Sequence, residues 1–444
     1  MTTNRTSSGT WATARKLAEQ TPPTRNRYVD FLRAASICVV VVGHWFVGTP
    51  VVVDGVIRAA EVLRVLPWTQ WMSWAMQVIP VFFVVGGYSN AVSWRSARCK
   101  ELEYGAWAAA RMRRLIGPLL PLLIFWVLLA VIAQQLGLEP DLVRTISRAA
   151  LIPVWFLSVY ILVTAATPIT HRFYRFVGVA SFWVFAAAAA MTDFIAYSFE
   201  LPGLRWANYG FVWLAIHQLG FMWQDGRLAR PRQVLPLALG GFALLVLLVT
   251  VVGYPISMLT VPGATFSNSR PPSLALLTLG VFHTGLLLAL QAPARRWLQR
   301  PGPWTLTVLV NSRIMTVYLW HLTVMVLLIG VAMKFGGIGL GAEPGSIAWF
   351  LLRLVWIAVL FSVLQIFVVV LGRYEQPLAR KGSVMLATWR VVIGTTLLSM
   401  ALAFLALGGI GAEGPIGFRY EVVLVAFVGA FLLLPRWPFR RHDT

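Results

Sequence analysis

The chain has 444 residues, of which 58% are hydrophobic and only 12% are charged, and its mean hydropathy is +0.74. These values exclude a water-soluble globular domain and indicate a polytopic membrane protein. The net charge of +21 could suggest a nucleic-acid partner, but we expect none, because the basic residues follow the alternation of loops between membrane spans.

Apolar stretches long enough to cross a bilayer recur along the whole chain and predict about twelve transmembrane helices in an all-α bundle. In chain order they cover residues 30 to 47, 70 to 94, 114 to 136, 151 to 170, 176 to 196, 206 to 224, 233 to 253, 272 to 292, 308 to 333, 346 to 371, 386 to 409 and 420 to 435. About ten would form the core, and about two would follow at the C-terminus. Most of the 37 Lys and Arg residues fall in alternate loops, so the positive-inside rule predicts that both termini are cytoplasmic.

The segments between the spans are too short for a soluble domain. Residues 1 to 26 are polar and lack the apolar core of a signal peptide, which predicts a disordered cytoplasmic tail. The segment 95 to 113 has Arg and Trp at helical spacing and predicts an amphipathic helix on the cytoplasmic surface. Pro, Gly, Ser and Asn predict an irregular loop at 254 to 272. For Cys38 and Cys99 we expect no disulfide.

Arg33 and His44 of the first span are ionisable side chains eleven residues apart. Eleven steps of roughly 100° bring a helix to within about 20° of its starting direction, so both side chains share one face, about 17 Å apart along the axis. An ionisable group at membrane depth is unfavourable unless it faces protein or water, so a functional site is the default interpretation. A snorkelling arginine at a helix end is the alternative for Arg33. Asp30 lies one turn earlier and can pair with Arg33.

Four histidines fall within predicted spans: His44, His217, His283 and His321. Neutral imidazole is the form that can be buried, and it can accept and return a proton near neutral pH. For His217 and His283 we favour a structural interpretation as hydrogen-bonded packing residues. His321 differs, because the ninth span would carry it about 12 Å inward from Arg313, to a depth comparable with that of His44.

Three residues near these positions are further candidates. Tyr318 is one turn from His321 and could hydrogen-bond the imidazole or a substrate, or the two could simply satisfy each other. Arg313 lies at the cytoplasmic end of its span and is a candidate for substrate binding, and Trp155 could line an acceptor path. The sequence contains no GxSxG elbow, no P-loop and no Cys/His metal-ligand spacing, so we expect no metal site.

Five segments resemble, in order, the motifs of the membrane acyltransferase type 3 family. They are Asp30, Arg33 and His44 of the first span, Val81-Phe82-Phe83-Val84-Val85-Gly86-Gly87-Tyr88, Arg111-Met112-Arg113-Arg114 with Pro118, Pro153-Val154-Trp155-Phe156-Leu157, and Asn311-Ser312-Arg313 with Tyr318 and His321. The resemblance covers residues 27 to 371, and residues 372 to 444 would add the extra C-terminal helices and a short basic tail. Gly86 stands where a serine is usual in the family, and Tyr88 replaces a phenylalanine.

This resemblance implies a multi-pass membrane O-acyltransferase, and the excess of Arg over Lys with abundant Ala and Val indicates a bacterial source and hence a bacterial plasma membrane. Its donor would be acyl-CoA from the cytoplasm, with no bound cofactor. Its acceptor would be a hydroxyl group of a glycan, glycolipid or natural product, as in the O-acetylation of cell-envelope carbohydrate, and membrane lipids would surround the protein. His44 would act as the base or transiently carry the acyl group. Arg33 would bind donor phosphates or polarise the thioester, and Asp30 would orient Arg33.

Two other classes of function fit parts of the same pattern. About twelve spans with buried Arg and His also describe a proton-coupled transporter or flippase. A channel or scaffold fits less well, because it gives no reason for a base and a cation on one helix face.

Overall fold

The fold of the chain is almost wholly helical. The computed structural model describes residues 10–54, 56–58, 62–375, 385–413 and 417–434. It is 76% helical, and the sheet within the described residues is one hairpin, in which β1 (Val51–Val53) pairs antiparallel with β2 (Val56–Arg58). The prediction of an all-α membrane protein is confirmed.

Twenty α-helices follow one another in the described part of the chain. In order they are α1 (Thr10–Glu19), α2 (Arg27–Gly48), α3 (Val62–Val65), α4 (Thr69–Met76), α5 (Ile79–Cys99), α6 (Tyr104–Ile116), α7 (Leu119–Gln135), α8 (Pro140–Leu151), α9 (Val154–Ala165), α10 (Thr167–Val177), α11 (Ala180–Ser198), α12 (Asn208–Gln224), α13 (Pro231–Leu247), α14 (Leu274–Ala289), α15 (Gln291–Trp297), α16 (Pro301–Asn311), α17 (Ile314–Lys334), α18 (Ile347–Leu371), α19 (Thr388–Gly408) and α20 (Tyr420–Leu433). Helix α13 continues into a π-helical turn at Leu248–Val252, and α18 continues into a 3-10 turn at Gly372–Glu375.

Among the described residues, seven helical segments are long and apolar enough to cross a membrane, and three bent helix pairs raise the number to ten. The bent pairs are α6 with α7, α8 with α9 and α14 with α15, with bends of 43°, 51° and 54°. Pro118 and Pro153 lie at the first two bends, where proline disfavours continuation of the preceding helix. The other two predicted spans correspond to α12, with 17 residues, and α20, with 14.

The N-terminal segment contains a helix that the sequence analysis missed. The predicted disorder does not extend to residues 10–26, because α1 forms there and packs against α16. Ala14 and Ala18 are buried, and the Trp304 indole donates to the carbonyl oxygen of Ala18 over 3.2 Å. Small side chains allow two helices to approach closely, a tertiary effect that the polar composition of the segment hides. Residues 1–9 lie outside the described residues.

The segments at 95–113 and 254–272 differ in how well they match prediction. A surface helix was predicted for 95–113, but α5 extends to Cys99 and α6 starts afresh at Tyr104. Trp107 of α6 is buried, so this helix packs into the bundle. The segment 254–272 is irregular, as predicted.

Helices α5 and α12 cross at close range through two glycines. A Cβ atom on Gly87 would collide with the carbonyl oxygen of His217, and one on Gly220 would collide with the carbonyl oxygen of Val84. Backbone atoms cannot move aside as the end of a flexible side chain can, so neither position admits a side chain. The crossing fixes the position of α5 in the bundle.

Replacing Gly220 by Val should destabilise the protein, because the new side chain meets the backbone of α5. We expect the free energy of unfolding to fall by about 1–3 kcal/mol, measured as a lower Tm in detergent solution. Gly330→Ala in α17 is the matched control, because an added Cβ there meets no atom within 4 Å. An unchanged Tm for Gly220→Val would contradict the close crossing.

The C-terminal helices pack on the rest of the bundle through α19. This helix contacts α20, α9 and α8. The Ser158 hydroxyl donates to the carbonyl oxygen of Ser399 over 2.7 Å, and the Ser399 hydroxyl donates to that of Ser158 over 2.8 Å. Reciprocal bonds of this kind hold two apolar helices in one register. The extra helices therefore support α9.

Candidate active site

The imidazoles of His44 and His321 meet in the structure. His44 lies near the end of α2 and His321 lies on α17, with 2.8 Å between His44 Nδ1 and His321 Nε2. The rings are nearly parallel, with 5° between their planes and 5.1 Å between their centroids. His321 is fully buried, whereas His44 is partly exposed. We call these two rings the imidazole pair. The ring of His44 is accessible, and the ring of His321 is buried behind it.

The hydrogen bonds of His321 indicate which nitrogen atoms of the imidazole pair carry protons. Its Nδ1 lies 2.6 Å from the carbonyl oxygen of Tyr318, which can only accept, so we assign a proton to this nitrogen. In a neutral ring His321 Nε2 is then an acceptor, and the bond between the rings takes its proton from His44 Nδ1. His44 Nε2 keeps a lone pair, and no polar group of the described residues binds it. That nitrogen is the basic atom of the pair.

The end of α2 that carries His44 is held from two sides. The indole of Trp45 donates to the carbonyl oxygen of His321 over 3.0 Å. Arg353 of α18 is buried and donates to the carbonyl oxygens of Thr49 and Pro50, over 2.8 Å and 3.3 Å. A cation beside the last carbonyls of a helix is stabilising. These contacts limit the freedom of α2 around the imidazole pair.

Arg33 lies farther toward the start of α2 and is fixed by two side chains. Its Nη1 lies 3.4 Å from Asp30 Oδ1, and its Nη2 donates to the Ser89 hydroxyl over 2.9 Å. The other carboxylate oxygen of Asp30 accepts from Arg25 Nε over 2.6 Å, which raises the pKa of Arg25 above its ordinary value. The Asn311 amide donates to the backbone carbonyl of Asp30 over 2.9 Å. Asp30 contacts Arg33 as the spacing predicts, but shares its charge with a second arginine.

A second arginine inside the bundle, Arg111 on α6, reaches the same region. Its Nη2 donates to the side-chain oxygen of Asn90 in a short contact, and Asn90 follows the serine that binds Arg33. Arg111, Arg33 and Arg114 lie close enough to repel one another electrostatically. We call these three residues the arginine cluster. Three guanidinium groups this close to one another favour an anionic ligand, because an anion relieves the repulsion.

Aromatic rings connect the arginine cluster to the imidazole pair. On α9, Tyr160 and Phe156 stack with 5.4 Å between centroids. Phe156 contacts Tyr318 at 5.5 Å, and the Tyr318 ring lies 6.0 Å from the buried imidazole. Phe82 and Phe83 of α5 meet both α9 rings edge-on. We call these five aromatic side chains the aromatic wall. They make the region between the arginine cluster and the imidazole pair apolar.

Comparison with known proteins decides the class of this molecule. A family model described as an acyltransferase domain, that of the acyltransferase type 3 family, matches residues 26–374, well over half of the chain. The chain belongs to the membrane acyltransferase type 3 family. Members of the family are O-acyltransferases, so the protein is an acyltransferase enzyme. No curated protein and no solved structure gives a significant match.

Both departures of this acyltransferase from the family motif have structural partners. The side chain of Tyr160 occupies the space beside Gly86, at the position where a serine is usual. The hydroxyl of Tyr88, which a phenylalanine would lack, accepts a hydrogen bond from the Asn26 amide over 3.0 Å. Asn26 immediately precedes α2, so Tyr88 ties the start of the site helix to α5.

In this acyltransferase the hydroxyl group of Tyr318 does not form the predicted hydrogen bond with the imidazole of His321. It donates to the carbonyl oxygen of Pro153 over 2.9 Å. The predicted contact with His321 does exist, but the backbone carbonyl of Tyr318 makes it. The hydroxyl instead links α17 to the start of α9, so this residue positions the aromatic wall.

Arg313 and Trp155 belong neither to the arginine cluster nor to the imidazole pair. Arg313 Nη1 donates to the carbonyl oxygen of Gly372 over 2.7 Å, which fixes the end of α18. Trp155 contacts Tyr209 at 5.9 Å and Trp213 at 6.2 Å between ring centroids. A substrate-binding role for either residue stays a prediction.

The remaining intramembrane histidines make hydrogen bonds. His283 Nε2 lies 2.8 Å from the carbonyl oxygen of Trp74, in agreement with a packing role. His217 Nε2 lies 3.2 Å from the amide nitrogen of Asn90, the residue that binds Arg111, so it supports the arginine cluster. Within the described residues, no three His, Cys, Asp or Glu side chains are grouped as metal ligands.

Proposed function

We propose that this enzyme transfers an acyl group from acyl-CoA, arriving from the cytoplasm, to a hydroxyl group of a glycan, glycolipid or natural-product acceptor in a bacterial cell envelope. The observation that carries the proposal is the imidazole pair, which leaves a lone pair on His44 Nε2. Arg33 of the arginine cluster lies on α2, the helix that carries His44, and Arg111 and Arg114 approach it from α6.

His44 acts as the general base in this proposal. His44 Nε2 takes the proton of the acceptor hydroxyl as its oxygen bonds to the thioester carbonyl carbon. The carbon–sulfur bond of the thioester then breaks, and the proton passes from Nε2 to the departing sulfur. The positive charge on His44 is shared with His321 through the hydrogen bond between the rings. The backbone carbonyl of Tyr318 keeps His321 oriented as an acceptor.

Arg33 and Arg111 bind the donor phosphates. Arg33 is held by Asp30 and Ser89 and Arg111 is held by Asn90, and both guanidinium groups keep other N–H donors available. Arginine forks match the geometry of phosphate oxygens. Eleven residues of helix separate Arg33 from His44 by about 17 Å. This length suits a donor whose anionic end and thioester are joined by a long, uncharged chain, which the aromatic wall would accommodate.

The test is acyl transfer by the purified protein in lipid nanodiscs. Acetyl-CoA carrying a labelled acetyl group is supplied with an extract of cell-envelope glycans and lipids, and we expect label to move to an extract component as free CoA thiol appears. Release of CoA thiol in one burst without acceptor would favour an acyl group carried on His44. The proposal fails if a folded protein produces neither label transfer nor thiol release. Solute uptake by proteoliposomes without acyl-CoA would favour the transporter.

A further inference from the structure

Tyr160 on α9 lies directly over Gly86 on α5. A Cβ atom built on Gly86 would lie 2.8 Å from Tyr160 Cε2 and 3.0 Å from the Tyr160 hydroxyl oxygen. Gly86 has no side chain, so the hydroxyl nearest to this position of α5 is the phenol that Tyr160 brings from α9. A side chain at 86 would require the end of the Tyr160 ring to shift.

We propose that Tyr160 is a substrate-binding residue whose hydroxyl hydrogen-bonds the amide-containing chain of the acyl donor, supplying from α9 the hydroxyl that Gly86 lacks. The inference rests on the proposed function, because it takes acyl-CoA as the donor. It adds a polar contact between the two ends of the donor, in a region where the other side chains of the aromatic wall are apolar.

The position of Tyr160 along its helix supports this role. One turn to one side, Thr164 lies beside Asn90, which binds Arg111. One turn to the other side, Phe156 contacts the ring of Tyr318 next to the imidazole pair. Tyr160 is therefore between the arginine cluster and the imidazole pair, where a chain joining phosphates to a thioester would pass.

The Tyr160 hydroxyl is available to a ligand. Its ring is held by stacking on Phe156 and by edge-on contacts with Phe82 and Phe83. The side chain is partly exposed, its hydroxyl makes no hydrogen bond within the described residues, and it lies close enough to Arg111 for an electrostatic interaction. A phenol in an apolar wall normally has a hydrogen-bond partner for its hydroxyl. A donor amide is a partner of suitable chemistry.

The first experiment separates the chain of the donor from its phosphates. Binding of acetyl-CoA and of adenosine 3′,5′-bisphosphate, which lacks the amide-containing chain, is measured on protein in nanodiscs. Tyr160→Phe keeps the ring and removes the hydroxyl, so we expect the Kd for acetyl-CoA to rise about 3- to 10-fold and the Kd for the bisphosphate to stay unchanged. If the wild-type protein binds neither ligand, the proposed function is wrong, and this inference, which depends on it, is overturned with it.

The second experiment moves the hydroxyl back to α5. Tyr160→Leu removes the ring that fills the space beside Gly86, and it is combined either with Gly86→Ser or with Gly86→Ala. The two double variants have nearly the same volume and differ by one hydroxyl, so a packing role predicts equal affinity. We expect the serine variant to bind acetyl-CoA about 3- to 10-fold more tightly than the alanine variant. Equal Kd values in the two double variants, or in Tyr160→Phe and wild type, would overturn the inference.

Discussion

Replacing His44 by Ala should reduce the rate of acyl transfer by about 10²- to 10⁴-fold, the usual contribution of a general base. The reason is that His44 Nε2 is the accessible lone pair of the imidazole pair, whereas both nitrogen atoms of His321 are bonded. Donor binding should change little, because the arginine cluster is more than two helical turns away along α2. Turnover with saturating acetyl-CoA measures the first effect, and the Kd for acetyl-CoA measures the second.

Two further variants sharpen this test. Cys38→Ala changes an exposed side chain on the same helix and should leave turnover at the wild-type level. His321→Gln can still accept from His44 Nδ1 through its side-chain oxygen, so it should lose less activity than His321→Leu, which cannot. Wild-type turnover by a correctly folded His44→Ala protein would rule out His44 as the base.

The shared face of Arg33 and His44 on α2 could be predicted, because it depends on helix periodicity alone. Arg33 and His44 stand eleven residues apart, and that spacing fixes their shared face in any straight helix. The prediction that His321 reaches the depth of His44 also needed only span direction and helix rise. The tautomers of the pair were not predictable, since they follow from the contact of His321 Nδ1 with a backbone carbonyl.

Arg111 was named as part of a motif but was given no role in the site, for a different reason. Its segment also contains Arg95, Arg98 and Arg113, and a basic helix between two spans normally lies on the membrane surface. The available signal was the run of three alanines before Arg111, since small residues allow a helix to enter a bundle. Whether such a helix enters the bundle depends on its neighbours, which here include α9 and α7.

The substitution of Gly86 looked like the loss of a hydroxyl when α5 was considered alone. Tyr160 brings a hydroxyl from α9 to within 3.0 Å of the point where a Cβ on Gly86 would lie, and only a tertiary contact could reveal it. The same applies to Ala14 and Ala18 of α1, whose burial depends on α16. Local patterns thus predicted the spans and the site helix, while contacts between helices decided which side chains complete the site.

Replacing Arg111 by Ala should weaken acetyl-CoA binding about 10- to 100-fold, the effect expected for losing charge-assisted hydrogen bonds to phosphate. Arg33→Ala should have an effect of similar size, and both variants should also weaken binding of adenosine 3′,5′-bisphosphate, which Tyr160→Phe should not. Arg172→Ala is the control, because Arg172 is an exposed arginine of α10 that is not among the charges acting on Arg111 or Arg114.

Removing Arg111 should not lower the Tm of the protein, but it should change the salt dependence of the affinity for acetyl-CoA. The three cluster arginines repel one another, and Asp30 is shared by Arg33 and Arg25, so removing Arg111 relieves repulsion without breaking an ion pair with Asp30 and should leave Tm unchanged or raise it. A loss of ligand affinity without loss of stability is the behaviour of a binding residue, whereas a structural arginine would lose both. Because partly exposed charges are screened by salt, the affinity of wild type for acetyl-CoA should fall as ionic strength rises, and the affinity of Arg111→Ala should fall less steeply. Equal salt dependence in the two proteins, with equal affinity, would exclude Arg111 from the donor site.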